Sequence, residues 1–307
     1  MRRLILRKFA AIVVVLFGLT ILVFSLSHAT GDPRYLYMTQ YTRTTSEAWE
    51  AQGKAMGLDK PLVVQYIIWV AKAVRGDFGT SVYYQRNSLD MILESLPATL
   101  QLSGISFMTA MVLGIPLGVL SAVKRSTAWD YAGRSFALLG QSVPPFWIAI
   151  VLVIIFSVQL DWLPTSRRGD WQHYVLPVAT LGWLPAAGLL RLTRSSMLEV
   201  LDSEFVKLAR AKGVSFGTIV WKHAFRNALI APVTYAMILL AGFMTGTVVV
   251  ETVFAWPGIG RLAVNAALNT DFPLVTGLAL VFGMMFLAAS LVADVLYGVL
   301  DPRIRYE

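Results

Sequence analysis

Residues 204–232 read EFVKLARAKGVSFGTIVWKHAFRNALIAP, a charged stretch set between apolar runs in a chain composed for lipid. Just after Ser203, Phe205, Leu208 and Ala209 recur at i, i+3 and i+4, while Lys207, Arg210 and Lys212 take the remaining surface. That spacing predicts a short amphipathic helix, with Ser203 as its cap. Gly213 breaks the pattern, as a residue able to adopt positive φ at a helix end does. A second helical pattern follows, with Phe216, Ile219, Val220, His223 and Ala224 on one side. The expectation is helix, glycine turn, helix. Val214, Ser215 and Phe216 form its tip, where an apolar side chain is better suited to a partner's groove than to water. A basic amphipathic connector lying on lipid would share much of this pattern.

Outside that stretch the chain reads as a membrane protein. Of its 307 residues 56% are hydrophobic and 14% charged, with mean hydropathy +0.64; an ordinary soluble domain is about a quarter charged. Six apolar runs approach or exceed the length of a bilayer span: 9–29, 97–123, 135–160, 174–190, 229–251 and 273–299. The fourth is the shortest and carries Pro177, Gly182 and Pro185, which membrane helices tolerate because neighbours re-satisfy the freed backbone groups. The first run, ending in Ser27-His28-Ala29, has some look of a signal sequence. Its apolar stretch exceeds the roughly 7–15 residues of such signals, so it is expected to be retained.

Charge sets the orientation. Sixteen of the 26 Lys and Arg lie in the N-terminal tail, in the turn after the second run, in the segment after the fourth and at the C-terminus. Basic residues are retained on the cytoplasmic side, which puts both termini inside. This bias accounts for the net charge of +8 without a nucleic-acid partner. The expected division is 1–96, a membrane helix plus an outer loop, and 97–307, a five-helix core containing the cytoplasmic loop 191–228. In the outer loop, 61–74 has apolar residues at helical spacing and suits an interfacial helix. Trp162, Trp171, Phe254 and Trp256 read as aromatic anchors at headgroup level.

Little in the sequence points to catalysis. There is no Cys, no G-x-x-x-x-G-K-[ST] phosphate loop and no H-E-x-x-H, and His28, His173 and His223 lie on separate segments, so neither a catalytic nor a metal site is expected. Ionisable groups within spans are the usual pointers to function, and here they are Glu251 and Asp294, near the ends of the fifth and last runs, where each can equally reach an interface or pair with Arg side chains. Gln101, Gln141, Ser142 and Thr245 are polar positions able to line a passage with them, or equally to serve as glue between helices. A self-sufficient carrier and an intramembrane enzyme using Asp294 or Glu251 are the alternatives at this point.

Several motifs then converge. Ala209-Arg210-Ala211-Lys212-Gly213 with His223-Ala224-Phe225-Arg226-Asn227-Ala228 and Pro232 resembles the EAA-type cytoplasmic loop of ABC importer permeases, in the dipeptide, oligopeptide, glutathione and nickel branch. Gly31-Asp32-Pro33, the segment 57–62, Gly76-Asp77-Phe78-Gly79, Thr193-Arg194-Ser195-Ser196-Met197, the segment 254–261 and Asp301-Pro302-Arg303-Ile304-Arg305 are similar to that branch in the same order. The resemblance covers nearly the whole chain. It implies an all-α integral membrane protein with the type I ABC importer-like permease fold, in the bacterial inner membrane. It also implies a non-catalytic transport subunit that partners a second related permease, two ATP-binding subunits carrying ATP and Mg, and an extracytoplasmic binding protein. The cargo it implies is a peptide, with glutathione, nickel chelates and sugars as alternatives. By this resemblance Lys207, Ala209, Arg210, Gly213, Val214, Ser215, Phe216, His223, Arg226 and Asn227 would belong to the ATPase-coupling loop, with Gly213 setting the turn and Val214, Ser215 and Phe216 as the tip that contacts an ATPase. Lys207 stands where the motif's name-giving Glu would be, so that residue's role is not carried over.

Overall fold

The computed structural model describes residues 2–29, 50, 53–54, 59–245 and 247–300, and its regular elements there are helices. The chain divides into two compact units, Arg2–Ala98 with Pro257–Leu287 and Thr99–Trp256 with Ala288–Glu307.

In the first unit, α1 (Arg2–Ala29) is followed in the described chain by α2 (Leu62–Val74), the helix expected at 61–74. α2 has no buried residue and leans on α1 through polar and aromatic contacts: Tyr66 Oη lies 2.8 Å from Thr20 Oγ1, and the Trp69 and Phe24 ring centroids are 5.8 Å apart. Phe78 of the Gly-Asp-Phe-Gly motif is buried in a core with Met91, Ile92, Leu274, Leu278 and Ile259, the first residue of α11 (Ile259–Leu268). The fully buried Asp271 carboxylate accepts from the Val82 and Tyr83 amides, each at 3.2 Å, and from Ser81 Oγ. Those bonds hold the short turn between Thr80 and Asn87 against the start of α12 (Phe272–Leu300).

The second unit is built around α6 (Gln172–Leu201). The fourth apolar run, 174–190, underestimates this helix, which continues for another three turns and keeps Pro177 and Pro185 inside it. It is closely crossed by neighbouring helices. On α3 (Ser88–Val123), Gly114 and Gly118 are one turn apart. A Cβ on Gly114 would lie 2.7 Å from the Ala186 carbonyl oxygen, and one on Gly118 would lie 2.6 Å from Thr193 Cβ. Two glycines four residues apart let backbones approach until dispersion contacts run along the whole crossing. α4 (Ala128–Ser142) packs on α6 in the same way, with Gly140 against Ala187 and Trp183.

The third and fifth runs are corrected by the structure. The run 135–160 is two helices, α4 and α5 (Pro145–Leu152, continued as a π-helix over Val153–Gln159), bent by 111° at Val143 and Pro144. Consecutive prolines remove two amide donors and drive the residue before each of them out of the helical region, so the turn is written into Val143-Pro144-Pro145. The run 229–251 is α9 (Ile230–Thr245) followed by the separate short α10 (Val248–Val253). Among the described residues, three helices are long and apolar enough to cross a membrane, or five if each bent pair is one span. The described apolar part of α1, Ala10–Leu26, is shorter than those. The aromatic anchors also divide. Trp162 and Trp171 are exposed, whereas Phe254 and Trp256 are buried, Trp256 edge-on to Tyr174 at 4.8 Å, because they end α10 inside the packed unit rather than in an outer loop.

Candidate functional site

The first part of the expected loop 191–228 is the end of α6, which runs to Leu201, and the rest forms a compact segment. α7 (Glu204–Ala211) and α8 (Phe216–Ala228, with a π-helical middle over Ile219–Ala224) flank the glycine turn. Gly213 has φ +78°, its amide donates to the Arg210 carbonyl at 2.9 Å, and the Val214 amide donates to the Ala209 carbonyl at 3.2 Å. This is the paired bonding of a Schellman helix end, which needs a left-handed residue where Gly213 stands. Ser203 opens α7 without a side-chain cap, because its hydroxyl turns back to the Val200 carbonyl.

The apolar face of α7 is not the one that periodicity picks out. Val206 is the buried residue, with Ala209 half-buried beside it, while Phe205 and Leu208 are 45% and 61% exposed. Periodicity counts apolar residues but cannot say where a pocket lies. Here the pocket is made by Val119 and Ala122 at the end of α3 and Met197 and Leu201 at the end of α6, and Val206, Ile219, Val220, Ala224 and Ala228 fill it. Val214 packs against the same cluster, so the exposed tip is Ser215 and Phe216, the latter 53% exposed. Phe205, Leu208, Phe216 and Trp221 leave a set of large apolar side chains on the outside of a segment whose inside is already filled. Arg210, Lys212, Lys222 and Arg226 are exposed among them, and Lys207 pairs with Glu204 at 2.8 Å on the open surface. His223 is half-buried, and Asn227 donates to the His223 carbonyl at 2.8 Å.

A buried carboxylate that no sequence motif marks lies on α4. Asp130, in the first turn of α4, accepts Arg194 Nε on Oδ1 at 2.7 Å and Arg194 Nη2 on Oδ2 at 3.1 Å. Ser121 Oγ and the Ser126 amide complete its shell, and Arg134 approaches to 3.5 Å. The forked pair joins α4 to α6, and the Ser121 bond joins both to α3. Removing one partner of such a pair would strand a buried charge. The only hint in the sequence is an Asp just after the turn Ser126-Thr127, whose partner 64 residues away is invisible to any local pattern.

The candidate passage residues separate by environment. Gln101 is exposed and accepts from Arg168 and, at 3.0 Å, from Tyr174 Oη. Ser142 is exposed and donates back to the Leu138 carbonyl at 2.8 Å. Gln141 lines a cavity of about 440 Å³ with Arg134, Arg191 and Arg194. Glu251 is fully buried and accepts from Thr99 Oγ1 at 2.6 Å, so its carboxylate faces packed protein. Asp294 is half-buried on α12, and the Thr245 side chain lies outside the described residues. Among the described residues no cluster of three or more His, Cys, Asp or Glu has the geometry to hold a metal.

A family model described as "Binding-protein-dependent transport system inner membrane component" matches residues 114–306, and its N-terminal counterpart matches residues 1–103. The chain belongs to this family. The family is one of transport components. Its relatives include an oligopeptide transport system permease protein of Haemophilus influenzae, 41% identical over 81% of this chain and 82% of that one. A second oligopeptide transport system permease protein, from Bacillus subtilis, is 35% identical over 98% of this chain and 99% of its own. The glutathione transport system permease protein of Escherichia coli K12 is 38% identical over 99% of each. The fold is that of ABC importer permeases. The inward-facing MetNI methionine ABC transporter superposes with a TM-score of 0.57 at 18% identity, over 69% of this chain and 96% of that one. An amino acid ABC transporter superposes with a TM-score of 0.53 at 13% identity, over 68% and 93%.

Proposed function

We propose that the chain is one of two permease subunits in an ATP-driven peptide importer of the bacterial inner membrane, with six spans and both termini cytoplasmic. A second related permease completes the pathway, two ATP-binding subunits supply hydrolysis, and an extracytoplasmic binding protein delivers the cargo. The chain itself is non-catalytic and needs no cofactor of its own; ATP and Mg belong to the ATPases. The oligopeptide and glutathione systems named for its relatives favour peptides as the cargo. The junction of the two family matches between residues 103 and 114 supports a division close to 1–96 and 97–307.

The observation that carries the coupling role is the two-sided loop. Its inner face is seated on the ends of α3 and α6, and its outer face offers Phe205, Leu208 and Phe216 to a partner. In this reading Gly213 sets the turn, Ser215 and Phe216 enter a cleft of an ATPase, and Lys207, Ala209, Arg210, Val214, His223, Arg226 and Asn227 shape or flank the contact. When the ATPases close, the segment moves as a block, and its apolar seat passes that movement to the two helices. Gln101, Gln141, Ser142, Thr245 and Asp294 line or border the passage, and Glu251 supports its wall through Thr99.

Reconstitution of the chain with its co-expressed partner subunits in liposomes tests the whole reading. Binding protein loaded with tri- to pentapeptides is expected to raise ATP hydrolysis several-fold and drive peptide uptake. Uptake by this chain alone without ATP would overturn it.

A further inference from the structure

Arg194 and Arg134 share the Asp130 carboxylate, but Arg191, one turn before Arg194 on α6, has no hydrogen bond or ion pair among the described residues. It is exposed and lies on two recesses at once. One, of about 440 Å³, is lined by Arg134, Gln141, Arg191, Arg194 and Ser195 together with small and aliphatic side chains, and holds three guanidinium groups and no carboxylate. The other, of about 350 Å³, shares Arg191 and Ser195 and adds Tyr235 of α9. Tyr235 reaches this place because Gly188 leaves room for it: a Cβ there would sit 2.6 Å from the phenol oxygen. The recess therefore offers, among the described residues, an unpaired guanidinium beside a serine hydroxyl and a phenol, while the Asp130 carboxylate is committed to Arg194.

Two considerations narrow the occupant. Ionisable and polar side chains in membrane helices face a water-filled cavity or the protein interior rather than acyl chains. A guanidinium's planar fork of donors matches the two oxygens of a carboxylate. We infer that the recess around Arg191 is a transient carboxylate subsite on the passage, taking the C-terminal carboxylate of a peptide on its way to the cytoplasm. This rests on the peptide-importer reading above. Arg191's exposure suits the role, because a conduction site must hold cargo weakly enough to release it.

The test uses the complete complex in liposomes made with and without anionic phospholipid. A tripeptide with a free C-terminus is compared with its C-terminal amide, both at saturating occupancy of the binding protein. Arg191→Gln is expected to slow uptake of the free acid at least fivefold and to leave amide uptake and stimulated ATP hydrolysis within twofold of wild type. Arg191→Lys should recover most of the loss, and Ser195→Ala should give a smaller defect of the same selectivity. Equal slowing of acid and amide, or of neither, would overturn the subsite. A defect confined to liposomes with anionic phospholipid would also overturn it, by assigning the recess to a lipid phosphate. A wild-type complex that hydrolyses ATP with its binding protein but imports no peptide would instead overturn the peptide reading, and the subsite with it.

Discussion

Gly213 shows how much one residue can decide. Its φ of +78° costs an L-residue about 1–2 kcal/mol, and no neighbouring atom lies within 4 Å of a Cβ built there, so substitution strains the backbone without any clash. Gly213→Val should therefore leave insertion and assembly intact while distorting the turn that presents Ser215 and Phe216. The expected result is a fall of fivefold or more in binding-protein-stimulated ATP hydrolysis with normal subunit recovery, and full stimulation would count against the coupling role. The neighbouring Val214 does different work from its tip partners, since it is anchored in the cluster with Val206 and Ile219. That assignment was beyond the sequence, where Val214, Ser215 and Phe216 look alike as tip residues.

At the scale of elements, the close crossing of α3 and α6 carries both the loop's seat and the Asp130 pair. Overpacking a close contact costs about 1–3 kcal/mol, and at Gly118 the clash falls on the Leu190 carbonyl as well as on Thr193, so a rotamer change gives no relief. Gly118→Ala should lower the temperature at which the purified complex loses its monodisperse peak by several degrees, and Gly118→Leu should prevent recovery of folded subunit. Wild-type thermal behaviour in both would mean that the helices do not approach this closely. The sequence contains the spacing Gly114-Ile115-Pro116-Leu117-Gly118, but nothing in it names α6 as the partner, and only the structure shows the close approach. The kink between α4 and α5 was written in two prolines, and an apolar run spread across them concealed it.

For the molecule as a whole, orientation is the property most open to direct measurement. The chain has no native Cys, so a single Cys at Ser215 reports one site without background. In intact cells Ser215→Cys is expected to resist a membrane-impermeant maleimide and to be modified after the membrane is permeabilised. Labelling from outside would reverse the orientation on which the coupling and passage readings depend.

The sequence by itself determined the membrane composition, the helical class and the existence of a glycine-broken loop, because each is recorded in local spacing or in bulk charge and apolarity. Only the tertiary structure decided that Val206 rather than Phe205 or Leu208 faces inward, that Phe254 and Trp256 are buried, that Glu251 is enclosed, and that Asp130 holds Arg194 while Arg191 has no partner among the described residues. Each of these depends on a side chain many residues away along the chain. Local periodicity shows which residues can be buried, and packing then selects among them according to where neighbouring helices leave a pocket.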